Sequence, residues 1–227
     1  MRLASIVLAR TLAYIEVFDL DPRGGVFLPE LIRGLGERYK FQKAPATIEE
    51  FDISKGIIFE KGKISGKVIQ KLSIFDTLLV VETRSSTTDS KEIIEEMLTW
   101  ARAKFGINYD AGMIKRNAYV SGISFYSNVP ILAASSLIST LADKTSRALS
   151  EIWDEKIHYE TVGIAIGHDT EIRKFPIAQF TLTRRTATRF SADKYYSEAP
   201  LPTDMHISML EEYEAGIIEL HGKTRVR

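Results

Sequence analysis

The stretch Val80–Gly106, VVETRSSTTDSKEIIEEMLTWARAKFG, carries the reading on which the fold turns. Its valines close a strand, the hydroxyl-rich run Ser85–Ser90 interrupts the chain, and Asp89 with Glu92 predicts a capping box for a helix. Ile93, Ile94, Met97, Leu98, Ala101 and Phe105 then keep one apolar face, and Gly106 stands where a left-handed residue ends a helix. A phosphate-binding turn would use the same hydroxyl residues, but helix capping accounts for them without a ligand.

Working upstream, Leu12–Phe18 alternates as a strand and Asp19–Gly25 supplies the residues that stop it. Leu28, Leu31, Ile32 and Leu35 recur at helical spacing, with Pro29 suited to a first turn and fraying expected over Gly36–Tyr39. After the polar connection Gln42–Ser54 come three strands, Gly56–Glu60, Val68–Phe75 and Leu78–Thr83, the last two joined by a tight turn at Asp76-Thr77. Downstream, Ala118–Tyr126 reads as a strand closed by Asn128 and Pro130. A long helix comes next, with Leu132, Leu137, Ile138, Leu141, Leu149 and Ile152 on its inward side. The strands Glu160–Ile166 and Phe175–Thr186 come after it. Thr203 or Asp204 then caps a helix over Met205–Ile218 that carries Ile207, Leu210 and Ile217 inward.

The order of elements in the first half recurs in the second. The expectation is therefore an α+β fold of two strand-helix-strand-strand modules, residues 1–106 and 107–227, with antiparallel sheet covered by helices on one face. Units of this order in tandem resemble SHS2-type modules and, with extra strands, the saddle of the TATA-box-binding-protein fold. The segment YKFQKAPATIEEFDISKGIIFEKGKI, Tyr39–Ile64, together with VVETRSSTTDS, also resembles bacterial proteins of unknown function. That architecture hosts protein-binding, small-ligand and nucleic-acid roles, so the resemblance implies a fold and assigns no residue a role.

The chain has 227 residues, 44% of them hydrophobic and 26% charged, which is a globular composition with enough apolar material for a sizeable core. Thirty basic residues balance thirty acidic ones, so no net field draws the whole chain to nucleic acid or to an anionic membrane. The absence of cysteine excludes disulfides, thiolate metal sites and a cysteine nucleophile. Leu3–Ala9 has the apolar character of a signal segment, but Arg10 ends it early and strand pattern continues directly. A cytoplasmic protein with no membrane span is the expectation.

Sites of chemistry are sparse. Lys61-Gly62-Lys63-Ile64-Ser65-Gly66-Lys67 lacks the spacing of a nucleotide loop, and Gly62 and Gly66 read as hairpin turns. Gly34-Leu35-Gly36 lies in a helical stretch and lacks the third glycine of a dinucleotide site. His168-Asp169, with His158 upstream, is the nearest approach to a metal-dependent hydrolase. The Gly167–Thr170 residues are equally those of a turn, and no metal or cofactor is expected. His206 with Asp204 and Tyr213 reads as packing, and the acidic pairs Glu95-Glu96 and Glu211-Glu212 as solvated helix faces. No G-x-S-x-G nucleophile elbow occurs.

One charge pattern stands above this background. Arg173, Lys174, Arg184, Arg185, Arg189 and Lys194 are opposed locally only by Asp193, whereas Tyr195–Gly222 contains acids and neither lysine nor arginine. Thr181, Thr183 and Arg185 would line the polar face of that basic strand, and Glu211, Glu212 and Glu214 the acidic helix. Neutralisation of strand by helix within the fold is one reading. The functional readings are pairing with a protein partner or a second copy, and a nucleic acid or phosphate-bearing ligand on the basic sheet face. The expected function is that of a non-enzymatic interaction subunit in an assembly. Binding of ligand or nucleic acid is the alternative, and a metal-dependent hydrolase the third.

Overall fold

A computed structural model describes residues 1–133, 135–169, 171 and 177–224, with side chains to Leu220. Described residues form eight strands and four α-helices: β1 (Arg2–Tyr14), α1 (Leu28–Tyr39), β2 (Ile57–Ile64), β3 (Lys67–Ile74), β4 (Leu78–Thr83), α2 (Thr87–Phe105), β5 (Arg116–Tyr126), α3 (Ser136–Trp153), β6 (Gly163–Ile166), β7 (Phe180–Arg184), β8 (Lys194–Ala199) and α4 (Thr203–Thr224). The fold is α+β, and each half of the chain runs strand, helix, three strands, helix. The chain divides into a first unit, Ile6–Gly122 with Pro200–Met205, and a second, Met1–Ser5 with Ile123–Ala199 and His206–Arg227. The expected division between residues 106 and 107 lies inside the first of these.

In the first unit the strand order is β2-β3-β4-β1, and the neighbours pair antiparallel, from Ile57 opposite Ile74 to Tyr14 opposite Leu78. Alternation places Ile57, Phe59, Leu72, Ile74, Leu79 and Val81 in one core; Ile69 joins it beyond Lys61, whose positive φ interrupts the alternation. Both helices close over it, α1 through Ile32, Leu35 and Tyr39 and α2 through Ile93, Ile94, Met97, Leu98 and Ala101. The helix read from Val80–Gly106 ends as expected, Gly106 taking φ +73° with its N–H on the Arg102 carbonyl.

Its start differs from expectation. Ser86 is the N-cap, its hydroxyl accepting from the Asp89 N–H at 3.0 Å, because the chain is still extended there. Asp89, freed from capping, lies in the first turn and joins Glu92 around the Lys67 ammonium.

The apolar stretch Leu3–Ala9 is the first part of β1, which ends at Tyr14; Val17–Leu20 forms a turn of 3-10 helix in place of more strand. The hairpin turn between β2 and β3 is Ser65-Gly66, both at positive φ. Gly62, which the sequence suggests as a turn residue, lies within β2 opposite Ile69. A Cβ there would stand 2.4 Å from the Phe41 ring, which packs on Phe59 at 5.0 Å. The residue is therefore small to seat an aromatic ring.

The second unit has the order β6-β7-β8-β5. Its strands are shorter than the sequence suggests, β6 starting at Gly163 and β7 spanning only Phe180–Arg184; Phe175 and Pro176 lie outside the described residues. β8 has no bounds in the sequence reading, although the recurring order leaves room for a further strand there, and it buries Tyr195, Ser197 and Ala199 in strict alternation. Ile123, Phe125, Ile131, Leu132, Leu182, Tyr195 and Leu210 make the core. α4 runs further in both directions than expected and turns Leu210 and Ile217 inward.

Substitution of Gly62 by alanine should lower stability by about 1–3 kcal/mol, because the Phe41 and Phe59 rings cannot both stay in place. The control is Gly216→Ala in α4, where a Cβ meets open space. That change should raise stability by about 0.5–1 kcal/mol through helix propensity, and denaturant melts of the two variants should shift in opposite directions.

Candidate functional site

The basic strand does not present its charges as the sequence suggests. Arg184 is drawn into the second unit, its side chain 9% exposed. It donates to Glu160 Oε2 at 2.6 Å and to the Phe190 carbonyl at 2.9 Å, and stacks 4.4 Å over the Phe190 ring. Asp193 stands 3.8 Å away. Such a guanidinium is held on every side and is not offered to a partner. Arg185 is half-buried over the Tyr196 ring at 5.5 Å, while Arg189 is exposed just before the 3-10 turn Phe190–Ala192. Thr181 and Thr183 sit opposite Glu198 and Tyr196 in the β7–β8 ladder and are half-buried. Arg173 and Lys174 lie outside the described residues.

The acidic helix is divided in the same way. Glu211 and Glu212 are exposed, the latter accepting from the Ser208 hydroxyl. Glu214 is 4% exposed and takes the Met1 amine, the Ser127 hydroxyl at 2.7 Å and the Asn128 N–H at 2.8 Å. Burial pushes its pKa up, and these three donors together outweigh burial and hold it below the ordinary glutamate value. Among the described residues no ion pair joins Arg184, Arg185 or Arg189 to Glu211, Glu212 or Glu214. Neutralisation within the unit does occur, through Glu160, Asp193 and the amine in place of the predicted strand-to-helix pairing.

The catalytic candidates separate likewise. His158 contacts Glu160 at 3.0 Å, and the His168 ring nitrogens lie near the Asp169 and Ile177 carbonyls. Thr170 is outside the described residues, among which no group of three or more histidines and acids could hold a metal ion. His206, read from sequence beside Asp204, is fully buried with Nε2 2.8 Å from the Ser197 hydroxyl and its ring against Phe180. Ser197 donates to the Thr181 carbonyl at 2.7 Å, so the imidazole N–H is the donor to Ser197. A serine and histidine bonded in this sense, both without exposure, tie α4 to the sheet and offer substrate no approach. No sequence spacing marks this pair, since it joins the end of a strand that the pattern does not announce to the helix after it.

The feature that the sequence places inside, and the structure places outside, is α3. Ser135 caps it and Asp154 ends it in the left-handed region, so its limits are locally determined. No residue of α3 is buried. Its half-buried residues are Ser139, Ala142, Thr145, Ser146, Leu149 and Ser150. The Ser146 hydroxyl accepts from Tyr159 N–H at 2.8 Å and that of Ser150 from Ile157 N–H at 2.9 Å. Leu137 is 81% exposed, Leu141 65%, Ile152 74% and Trp153 69%. Most of the apolar stripe expected to face the core thus faces solvent, while Leu132, which precedes the helix, is buried as expected and Leu149 is half-buried. The signal available in the sequence is the second stripe, serines at helical spacing, whose hydroxyls satisfy backbone groups of the adjoining loop.

Among the described residues no helix is long and apolar enough to cross a membrane. Comparison with models of known protein families finds no match, and comparison with curated proteins finds none either.

Replacing Arg184 by alanine should cost about 2–4 kcal/mol, because Glu160 and the Phe190 carbonyl lose a buried partner. Arg185→Ala and Arg189→Ala should stay within about 0.5 kcal/mol in the same chemical melts. Acid should act through Glu214. A folded pKa below the unfolded value of about 4.3 gives stability that is present above that pH and lost as pH falls through the folded value. Stability measured from pH 6 down to about pH 2 should show that loss, and Glu214→Gln should flatten the acid limb.

Proposed function

We propose that this chain acts by binding, as an interaction subunit, and that its association face is the outer side of α3, paired antiparallel with α3 of a second copy. The carrying observation is that α3 exposes Leu137, Ile138, Leu141 and Ile152 along one side while its serine-rich side is half-buried. α1 holds the same place in the element order and buries Ile32, Leu35 and Tyr39 against its own sheet. A stripe of this size left in water favours a covering surface.

Charge selects the occupant. Lys144 and Glu151 are seven residues apart on one edge of the stripe, both exposed and, among the described residues, without an ion-pair partner in the chain. In a twofold antiparallel pair, same-edge positions meet, so Lys144 faces Glu151 of the second copy and Glu151 faces its Lys144. The same register sets Leu141 against Ile152 of the second copy and Thr145 against its Ala148. Small residues therefore fall at the centre, where two helices approach most closely. The surface is complementary to itself in both apolar content and sign of charge.

Light scattering over a concentration series should show a dimer. Leu141→Asp should abolish it. Lys144→Glu and Glu151→Lys should each weaken it by about tenfold, since one substitution creates two like-charge pairs, and the double exchange should restore it. A monomer at every concentration overturns the reading, as does a dimer indifferent to Leu141→Asp.

A further inference from the structure

The first unit carries an apolar pocket that opens to solvent. Between the two helices, the sheet and the Val17–Val26 segment lies a cavity of about 340 Å³, walled by Val17, Leu35, Ile74, Met97, Leu98 and Ile107 among others. Asp21 alone among its described lining residues is polar. A second, more polar volume of about 560 Å³ adjoins it, sharing Leu20, Asp21, Val26 and Ile107 and adding Arg23, Arg102 and Asn108. The apolar space has the size and lining of a small-molecule site.

The polar mouth gives the guest its sign. Arg23 and Arg102 are exposed, and among the described residues neither has a carboxylate within ion-pair distance. The Asp21 carboxylate, the negative group at the same rim, is engaged with its own loop: one oxygen accepts from Gly25 N–H at 3.0 Å and the other from Val26 N–H at 2.9 Å. Arg102 also lies in the last turn of α2, where a cation suits the helix dipole whether or not a ligand binds. Arg23 lies in a loop, where no such structural reason applies.

We infer that this is a binding site for an amphipathic anion, its apolar chain or ring in the inner cavity and its carboxylate or phosphate held at the mouth by Arg23 and Arg102. Two guanidiniums converging on one anionic head give direction as well as charge, and the adjoining apolar space sets the length of the body.

Calorimetric titration of the full chain with decanoate, decyl phosphate, decanol and decyltrimethylammonium, each below its micelle concentration, separates head from tail. Decanoate and decyl phosphate should bind about tenfold tighter than decanol, the cation more weakly than decanol, and decanol should compete with decanoate. In the Arg23→Gln, Arg102→Gln double variant, decanoate should fall to the affinity of decanol while decanol binding is unchanged, which also reports that the cavity is intact. Absence of binding by all four overturns the site. Equal affinity for decanoate and decanol, or an anion preference that survives the double variant, overturns the assignment of its mouth.

Discussion

The constraint on which both units depend is that a helix with an apolar stripe must lay it on one face of an antiparallel sheet while its first-turn donors find acceptors. α2 meets both demands. Ile94, Met97, Leu98 and Ala101 cover the sheet, and the helix start is tied down by polar groups that are themselves buried. Ser90 Oγ donates to the Ala9 carbonyl at 2.8 Å and lies 3.0 Å from Thr83 Oγ1, while Thr11 Oγ1 donates to the Thr87 carbonyl at 2.9 Å. Thr87 and Thr203 exchange hydrogen bonds, each hydroxyl accepting the other's N–H at 3.0 and 2.9 Å. Buried hydroxyls satisfied in this manner fix where the helix begins, and with it which residues of the stripe reach the core.

In the second unit one helix does not meet the first demand, and the interior is built differently. Element order and strand order are the same as in the first, yet only α4 gives this core a buried side chain. Polar contacts supply more of its interior: the Ser197–His206 pair, Arg184 among Glu160, Phe190 and Tyr195, and Glu214 with its three donors. Each is satisfied, so each is tolerated, but satisfied polar groups add less to stability than an equal area of apolar burial. The exposed stripe of α3 is apolar area that this unit leaves outside its core.

How much of the fold is legible in the sequence depends on how local each signal is. The C-terminal limit of α2, the turns at Asp76-Thr77 and Gly66, and the repeat of element order rest on neighbours a few residues apart, and all are present. Gly62 misleads because its reason, the Phe41 ring, comes from another element. β8 is hard to see because Lys194 and Glu198 dilute a strand whose inner residues are Tyr195, Ser197 and Ala199. The facing of α3 is inverted because amphipathicity gives a stripe and not its partner: an apolar face predicts burial against something, and a core of the same chain is only one such surface. The charge cluster misleads for a related reason, since Glu160, the partner of Arg184, stands on the far side of the strand turn.

The arginine strand and the α3 stripe have a common cause in the packing of the second unit. A run of arginines signals a charged surface only if the strand carrying it faces solvent, and Arg184 faces inward over Tyr195 and Phe190 because the β7–β8 ladder sets it opposite Tyr195. The stripe of α3 signals a core only if the core has room for it. In the second unit the core is filled by residues outside α3, among them Phe125, Leu210 and Leu132, the one member of the expected stripe that precedes the helix, and the half-buried side of α3 is the one that carries its serines. On the proposed pairing, the contact between copies supplies to α3 the burial that α1 finds within its own unit. Association then adds to the stability of the second unit by mass action, and that unit should hold together more firmly as protein concentration rises while the first unit does not depend on it.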